Sequence, residues 1–356
     1  MITPAKERFA SDNGRPHGSG WHFLFVALLI GLLMFAIVAS LAVGAVAIPV
    51  MQVVDILFRP VASGSDAMAV TIIWDIRFGR ALLAALIGAS LAAAGAALQG
   101  LFRNPLADPF VVGASSGAAL GATVAIIAGL QWGVRGFGPV PLAAFVGAML
   151  AVALVYGVAE MGGMTSSIAL LLAGAALSTF LGAIVYLLIM LHDQNLYAIF
   201  GWLLGGLSGR SWPHLKASMP YMIIGIGMLW FLARPLDALA FGDETAQSLG
   251  LPLRWTRGAI IAAASLSTAA AVSAGGSIGF VGLIAPHAAR LLVGAGHARL
   301  IPASALLGAL LLLISDDLAR TVMAPVELPV GIVTAMLGGP FFLYLLKTRQ
   351  RELGAR

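Results

Sequence analysis

The chain has 356 residues, 60% of them hydrophobic and 10% charged, with a mean hydropathy of +0.99 and a net charge of +5. A soluble domain carries about 25% charged residues, so this composition excludes one and indicates an integral membrane protein. The chain has no cysteine, which excludes disulfides, thiolate metal sites and cysteine nucleophiles; its basic residues are scattered rather than gathered into a stripe, which excludes nucleic acid as a partner.

In chain order, residues 1–22 are polar, with Lys6, Arg8 and Arg15, and read as an N-terminal tail. An apolar run to Val50 follows. It contains Ala45-Val46-Ala47, a pattern compatible with leader cleavage, but it exceeds the roughly 7–15 residues of a signal-peptide core. It is read as a retained first span. Each helical span needs roughly 20 apolar residues, and runs longer than 18 favour helices over a barrel. The predicted spans are 23–48, 79–100, 110–130, 139–159, 166–191, 217–234, 257–275, 280–294, 301–320 and 330–347, with a short extra helix over 195–207. The transmembrane domain is thus 23–347, and 348–356 is a C-terminal tail.

Ten spans put both termini on one side. Thirteen Lys and Arg residues fall on that side and seven on the other, so the termini are expected in the cytoplasm. The bias is moderate because Arg59, Arg77, Arg80, Arg135, Arg210, Lys216 and Arg320 make the opposite face basic. Spans two to five and seven to ten form two four-helix units of opposite orientation, the pattern of an inverted repeat. The Gly-rich segment 275–282, followed by a short span with Pro286, fits a discontinuous helix.

Two polar stretches stand out in this apolar sequence: Arg77-Phe-Gly-Arg80 through Gln99-Gly-Leu-Phe-Arg-Asn-Pro-Leu-Ala-Asp-Pro109, and Gly275 to Arg290 with Ile278-Gly-Phe-Val-Gly-Leu-Ile-Ala-Pro-His287. Polar residues in such surroundings mark pathways or docking sites. With Ser115-Ser-Gly-Ala118, Gly242-Asp-Glu-Thr-Ala-Gln-Ser-Leu-Gly250, Glu327-Leu-Pro-Val-Gly331 and Gly338-Gly-Pro-Phe-Phe342, these stretches resemble the permease subunits of ATP-binding-cassette (ABC) importers for iron chelates and cobalamin. The resemblance covers about residues 70 to 347.

It implies an all-α polytopic membrane protein of the type II importer class, acting as a homodimer in the bacterial inner membrane. Two ABC ATPase subunits would bind on the cytoplasmic side and a periplasmic substrate-binding protein on the other. It further implies that 235–252 is a coupling loop for the ATPase, through Leu239, Phe241, Gly242, Asp243, Glu244, Gln247, Leu249 and Gly250. Arg77, Arg80 and Arg320 would dock carboxylates of the binding protein, a task suited to the planar guanidinium; snorkelling to the interface is the alternative. Thr165, Ser166 and Ser167 would border the pore and gate.

None of Lys6, Lys216 and Lys347 ends a phosphate-loop motif, so ATP hydrolysis would belong to a partner, and no cofactor or metal is implied. The expected cargo is an iron chelate, a ferric siderophore or haem, with cobalamin as the alternative. An ion-coupled carrier needs acidic or His residues at mid-depth, and every acidic residue here falls near a predicted span end or in a loop. Asp316 and Arg320 stand at i and i+4 and are expected to pair. Asn104 and Asp108 are expected to cap the next helix. His192, Tyr197, Trp202, Arg210, Trp212 and His214 form an aromatic and basic segment that either faces a large planar or anionic ligand or anchors at the membrane interface.

Overall fold

The structure, a computed structural model, describes residues 19–44, 46–58, 66–130, 138–161 and 167–354, and every regular element among them is helical. The first helix, α1 (Ser19–Ala42), ends earlier than its apolar run, because Gly44 adopts a positive φ of 154° and Pro49 lies just beyond. The sequence reading left 49–78 without helices. The structure forms α2 (Val50–Phe58), α3 (Asp66–Thr71) and a π-helical stretch Ile72–Phe78 that runs directly into α4 (Gly79–Leu101). Asp55, Asp66 and Asp75 interrupt hydropathy there, but not helix geometry.

Asn104-Pro105 and Asp108-Pro109 then stop the helix, because Pro lacks an N–H and disfavours helical backbone before it. A 3-10 turn, Pro109–Val112, leads into the short α5 (Ala114–Ile127). The remaining helices are α6 (Pro139–Glu160), α7 (Ser167–Leu191), α8 (Leu196–Leu203), α9 (Trp212–Phe231), α10 (Ala233–Ala240), α11 (Asp243–Ser248), α12 (Leu253–Gly275), α13 (Val281–Val293), α14 (His297–Thr321) and α15 (Val330–Gly354). Each predicted span falls on a helix. Among the described residues, six helices are long and apolar enough to cross a membrane; α9 and α10 form a further pair bent by 51°, and α5, α13 and Val330–Leu345 of α15 are shorter apolar helices.

Helices α4, α12 and α14 form the buried centre, whereas α1 and α7 expose most of their residues. The centre is built from Ala, Gly and Ser. Lipid tails are as apolar as leucine, so helices associate in a bilayer by close packing, and small residues permit the closest approach. A Cβ added at Gly88 would stand 2.1 Å from the Gly308 carbonyl oxygen, and one at Gly95 would stand 2.0 Å from that of Gly282. These backbones touch.

The contacts carry the inverted repeat. Exchanging α4, α5, α6 and α7 for α12, α13, α14 and α15 maps each main contact onto another. Helix α4 packs on α14 as α12 packs on α6, α4 on α13 as α12 on α5, and α5 on α6 as α13 on α14. Helix α9 packs mainly on two of the central helices, α4 and α12. The short helices α5 and α13 take equivalent places.

Replacing Gly88 by Leu is expected to lower stability by about 3 kcal/mol or more, because the new side chain meets backbone that cannot move aside. Gly182→Leu, where a Cβ meets nothing within 4 Å, should leave the thermal midpoint in detergent unchanged. Equal midpoints for the two variants would refute the backbone contact.

Candidate functional site

Three regions concentrate the polar groups: the end of the bundle where α4 begins, a cavity within it, and the end where α4 stops. The two ends are separated by the length of α4, 23 residues or roughly 34 Å.

At the first end lie Arg77, Arg80 and Arg320, all less than 9% exposed. Arg77 closes the π-helical stretch and donates to the carbonyls of Leu41 (2.7 Å) and Val46 (2.5 Å), pinning the chain that leaves α1. Arg80 grips Asp316 in a bidentate pair, Nε and Nη2 each 2.9 Å from a carboxylate oxygen, and its Nη1 donates to Glu327 at 2.9 and 3.0 Å. Arg320 donates to Ser40 and pairs with Asp317. The expected Asp316–Arg320 pair is present at 3.6 Å, but the shorter bonds of Asp316 are to Arg80. Asp316 is 1% exposed; its charge is tolerable there only because a guanidinium satisfies both oxygens. Burial pushes the Glu327 carboxyl up, but hydrogen bonding and the charge of Arg80 hold it below its ordinary value. Trp74, Phe78 and Trp212 stack edge to face over this end.

The chain after α4 does not simply leave the bundle. Pro109 packs on Gly282, which itself touches Leu91 and Gly95 in the body of α4. Segment 102–113 therefore re-enters. Asp108, expected near a span end, is carried inward with it. Its Oδ1 accepts from the Phe110 N–H at 2.8 Å and caps the 3-10 turn, and Asn104 accepts from the Leu106 N–H. Asp108 lies on a cavity of about 680 Å³ with Ser115, Ser116, Ser178, Ser277 and Phe280. Ser115 and Ser277 hydroxyls meet at 2.8 Å, and Ser116 donates to Ser178 at 3.2 Å. Phe280 has a φ of +68°, a left-handed conformation unfavourable for a bulky residue, and packs against Gly338. It also lines a second cavity, of about 510 Å³, with Gly331, Ile332 and Met336.

Sequence reasoning did not single out these serines and Phe280 as cavity residues; the available signal was a run of Ser and Gly inside apolar segments. Of the expected gate residues, Thr165 and Ser166 lie outside the described residues, and Ser167 opens α7.

At the other end, 235–252 spans α10 and α11, turned by Gly242 and Gly250 at φ of 119° and 80°. Leu239 is buried, Gly242 and Asp243 are half-buried, and Phe241, Glu244, Gln247, Leu249 and Gly250 are exposed. Asp243 bridges Arg103 and Arg257, the latter at 2.6 Å. Burial pushes the Asp243 carboxyl up, but Arg257 and Arg103 outweigh it and hold the pKa below its ordinary value. Arg103 also donates to the Leu239 carbonyl at 3.0 Å. Asp237 accepts from both the backbone N–H and Nδ1 of His297, and Arg290 donates to Gln99 at 3.0 Å.

A helical membrane bundle with an inverted repeat, broken helices around an internal cavity and polar clusters at both ends has the architecture of a transport permease. Residues 32–348 match the FecCD transport family, and the chain belongs to that family. It is 45% identical over 291 residues to the cobalamin import system permease protein BtuC of Halobacterium salinarum, covering 82% of this chain and 77% of that one. It is 40% identical to the Fe(3+)-citrate import system permease protein YfmE of Bacillus subtilis (92% and 96% covered) and 39% identical to the hemin transport system permease protein HmuU of Yersinia pestis (91% and 96%). A solved structure described as an inward-facing conformation of a metal-chelate type ABC transporter superposes with a TM-score of 0.80 at 31% identity, covering 91% of this chain and 99% of that one.

Arg80→Met should cost about 3–5 kcal/mol, because it strands the buried Asp316 charge. The triple variant Arg80→Met, Asp316→Leu, Glu327→Gln should recover most of that in a thermal melt. A single variant as stable as the wild type would overturn the pairing.

Proposed function

We propose that this permease works in an ATP-driven importer that carries an iron chelate, a ferric siderophore or haem, across a bacterial inner membrane as a homodimer with both termini in the cytoplasm. Two ATPase subunits bind the face that carries α10 and α11, and a periplasmic binding protein delivers cargo to the arginine face. Segments 1–22 and 348–356 are the cytoplasmic tails of the domain 23–347. The names of the iron-citrate and hemin permeases among its relatives support the cargo class. Cobalamin is the second reading, favoured by the 45% identity to a cobalamin permease.

The observation that carries the reading is the apolar surface on the coupling segment. Phe241 is 80% exposed and Leu249 67%, at the ends of the short helices α10 and α11, and Trp255, 78% exposed, stands in the first turn of α12. Exposed apolar patches at the water end of a protein mark docking sites. Leu239 anchors the segment from beneath, Asp243 locks it to Arg103 and Arg257, and Glu244, Gln247 and Gly250 rim the patch. Thr165, Ser166 and Ser167 gate the cytoplasmic end of the pathway.

Docking by Arg77, Arg80 and Arg320 takes the form of exchange. Each is already bound within the chain, so an incoming carboxylate replaces an internal partner. Glu327, at 34% side-chain exposure, is the partner Arg80 releases.

The test uses liposomes holding the permease and its ATPase, with the binding protein added. Stimulated ATPase activity is expected in the wild type. In Phe241→Glu it should fall more than tenfold while the permease keeps its thermal midpoint. Uptake that follows an ion gradient without any ATPase would sink the importer reading.

Glu327→Gln frees Arg80 from one carboxylate while leaving Asp316 paired. It should tighten docking of the binding protein several-fold, measured by surface plasmon resonance on nanodiscs. Weaker docking would reject the exchange.

A further inference from the structure

Beside the arginine network lies a third cavity, of about 450 Å³, between the end of α5, the start of α6, α8 and the turn ahead of α15. Its walls are mostly apolar: Ile126, Val140, Leu328 and the ring of Trp202. Arg210 also lines it. The Arg210 side chain has no ion-pair or hydrogen-bond partner among the described residues, in contrast to Arg77, Arg80 and Arg320. Glu327 shares the cavity but is engaged by Arg80 and Ser208. Asp75 is near in space, since its backbone carbonyl accepts from Ser211, yet no ion pair joins its carboxylate to Arg210 among the described residues. Burial alone acts on Arg210, pushing its pKa down from the ordinary value with no carboxylate to offset it. Arg210 is half-buried, and the indole Nε1 of Trp202 beside it is a buried donor with no partner among the described residues.

An unpaired guanidinium in an apolar pocket is costly. The low local dielectric that makes it costly also strengthens its attraction for an anion. Its planar fork matches a carboxylate, and the apolar walls suit the body that bears one.

We propose that this cavity binds a carboxylate of the transported chelate through Arg210, and so selects iron chelates that carry free carboxylates on an apolar or planar body. This rests on the reading of the chain as a chelate permease. Glycine backbone at Gly201 and Gly206 leaves the cavity floor open for the body of the ligand.

The test measures equilibrium binding to the permease–ATPase complex in nanodiscs. The probes are ferric citrate and haemin, which carry carboxylates, and ferrioxamine B, a ferric trihydroxamate that carries none. In the wild type, ferric citrate or haemin should bind. Arg210→Gln should weaken that binding about tenfold, Arg210→Lys should weaken it less, and neither should alter ferrioxamine binding or the thermal midpoint. The proposal is overturned if Arg210→Gln binds the carboxylate chelates as the wild type does, if it loses all three probes equally, or if the wild type binds neither carboxylate chelate. ATPase stimulation by the binding protein, read on the same complexes with Arg210 intact, judges the importer reading separately.

Discussion

The backbone contact between α4 and α14 sets the geometry on which the rest of the molecule depends. Gly88 and Gly308 touch in the body of the two helices. Arg80 stands eight residues before Gly88, and Asp316 eight residues after Gly308. In an antiparallel pair those offsets place the two charges opposite each other, roughly 12 Å along from the glycines. The bidentate bond at 2.9 Å is therefore the far end of a register that the glycines fix. A bulkier residue at the crossing would part the helices and leave a carboxylate that is 1% exposed without its partner. The charge pair and the small residues are a single constraint, in which close packing makes the pair reachable and the pair penalises any slip in register.

The same central helices tie the two ends together. Helix α4 carries Arg80 in its first turn and ends just before Arg103, which holds Asp243. Helix α12 begins near Arg257, which holds the same carboxylate. Displacing α11 therefore pulls on both rods at the centre of the bundle rather than on a loose connector. Because Asp243 is kept below its ordinary pKa by those two guanidiniums, it remains charged through the neutral range. The sign follows directly: a depressed carboxylate contributes its stabilisation above the unfolded value of about 3.9 and loses it as pH falls through the folded value. The pairing is thus not switched off by pH in the neutral range, although the half-exposed Arg103–Asp243 bond is open to screening by salt.

Long apolar runs made the helices legible in the sequence, and the Gly and Pro punctuation at 242, 250 and 252 made the turns around α11 legible. Less was readable where hydropathy and backbone geometry diverge. Residues 49–78 lie outside the predicted spans, yet Ile72–Phe78 runs directly into α4, with Asp75 exposed on it. The inward return of Asp108 has no hydropathy signal at all, being set by the packing of Pro109 on Gly282. The three arginines read in the sequence as docking residues at span ends, with Asp316 expected beside Arg320. The chain also holds Asp317, Glu327 and the carbonyls after α1 in reach of them, and brings Asp316 closest to Arg80. Those acids are visible in the sequence; which arginine each meets depends on helix register, which one chain's periodicity does not reveal.

The broken helices raise a question of backbone accounting. Within a bilayer every N–H and C=O needs a partner, and irregular backbone survives only where protein supplies one. Three breaks here supply one another. The Gly206 N–H donates to the carbonyl of Gly275 at 2.8 Å, and the Gly331 N–H donates to that of Gly205 at 3.2 Å. The stops after α8 and α12 and the start of α15 are thereby knitted into one hydrogen-bonded unit. Side chains are excluded from it: a Cβ at Gly331 would lie 2.1 Å from the Leu204 carbonyl, and one at Gly276 would lie 2.5 Å from that of Trp202. Ser277 leaves this unit to meet Ser115 at the start of α5, so the discontinuity of one half-repeat is bonded to that of the other. A shift of α8 or α15 would have to break or replace these backbone bonds, so the breaks are held by protein partners that lipid could not supply.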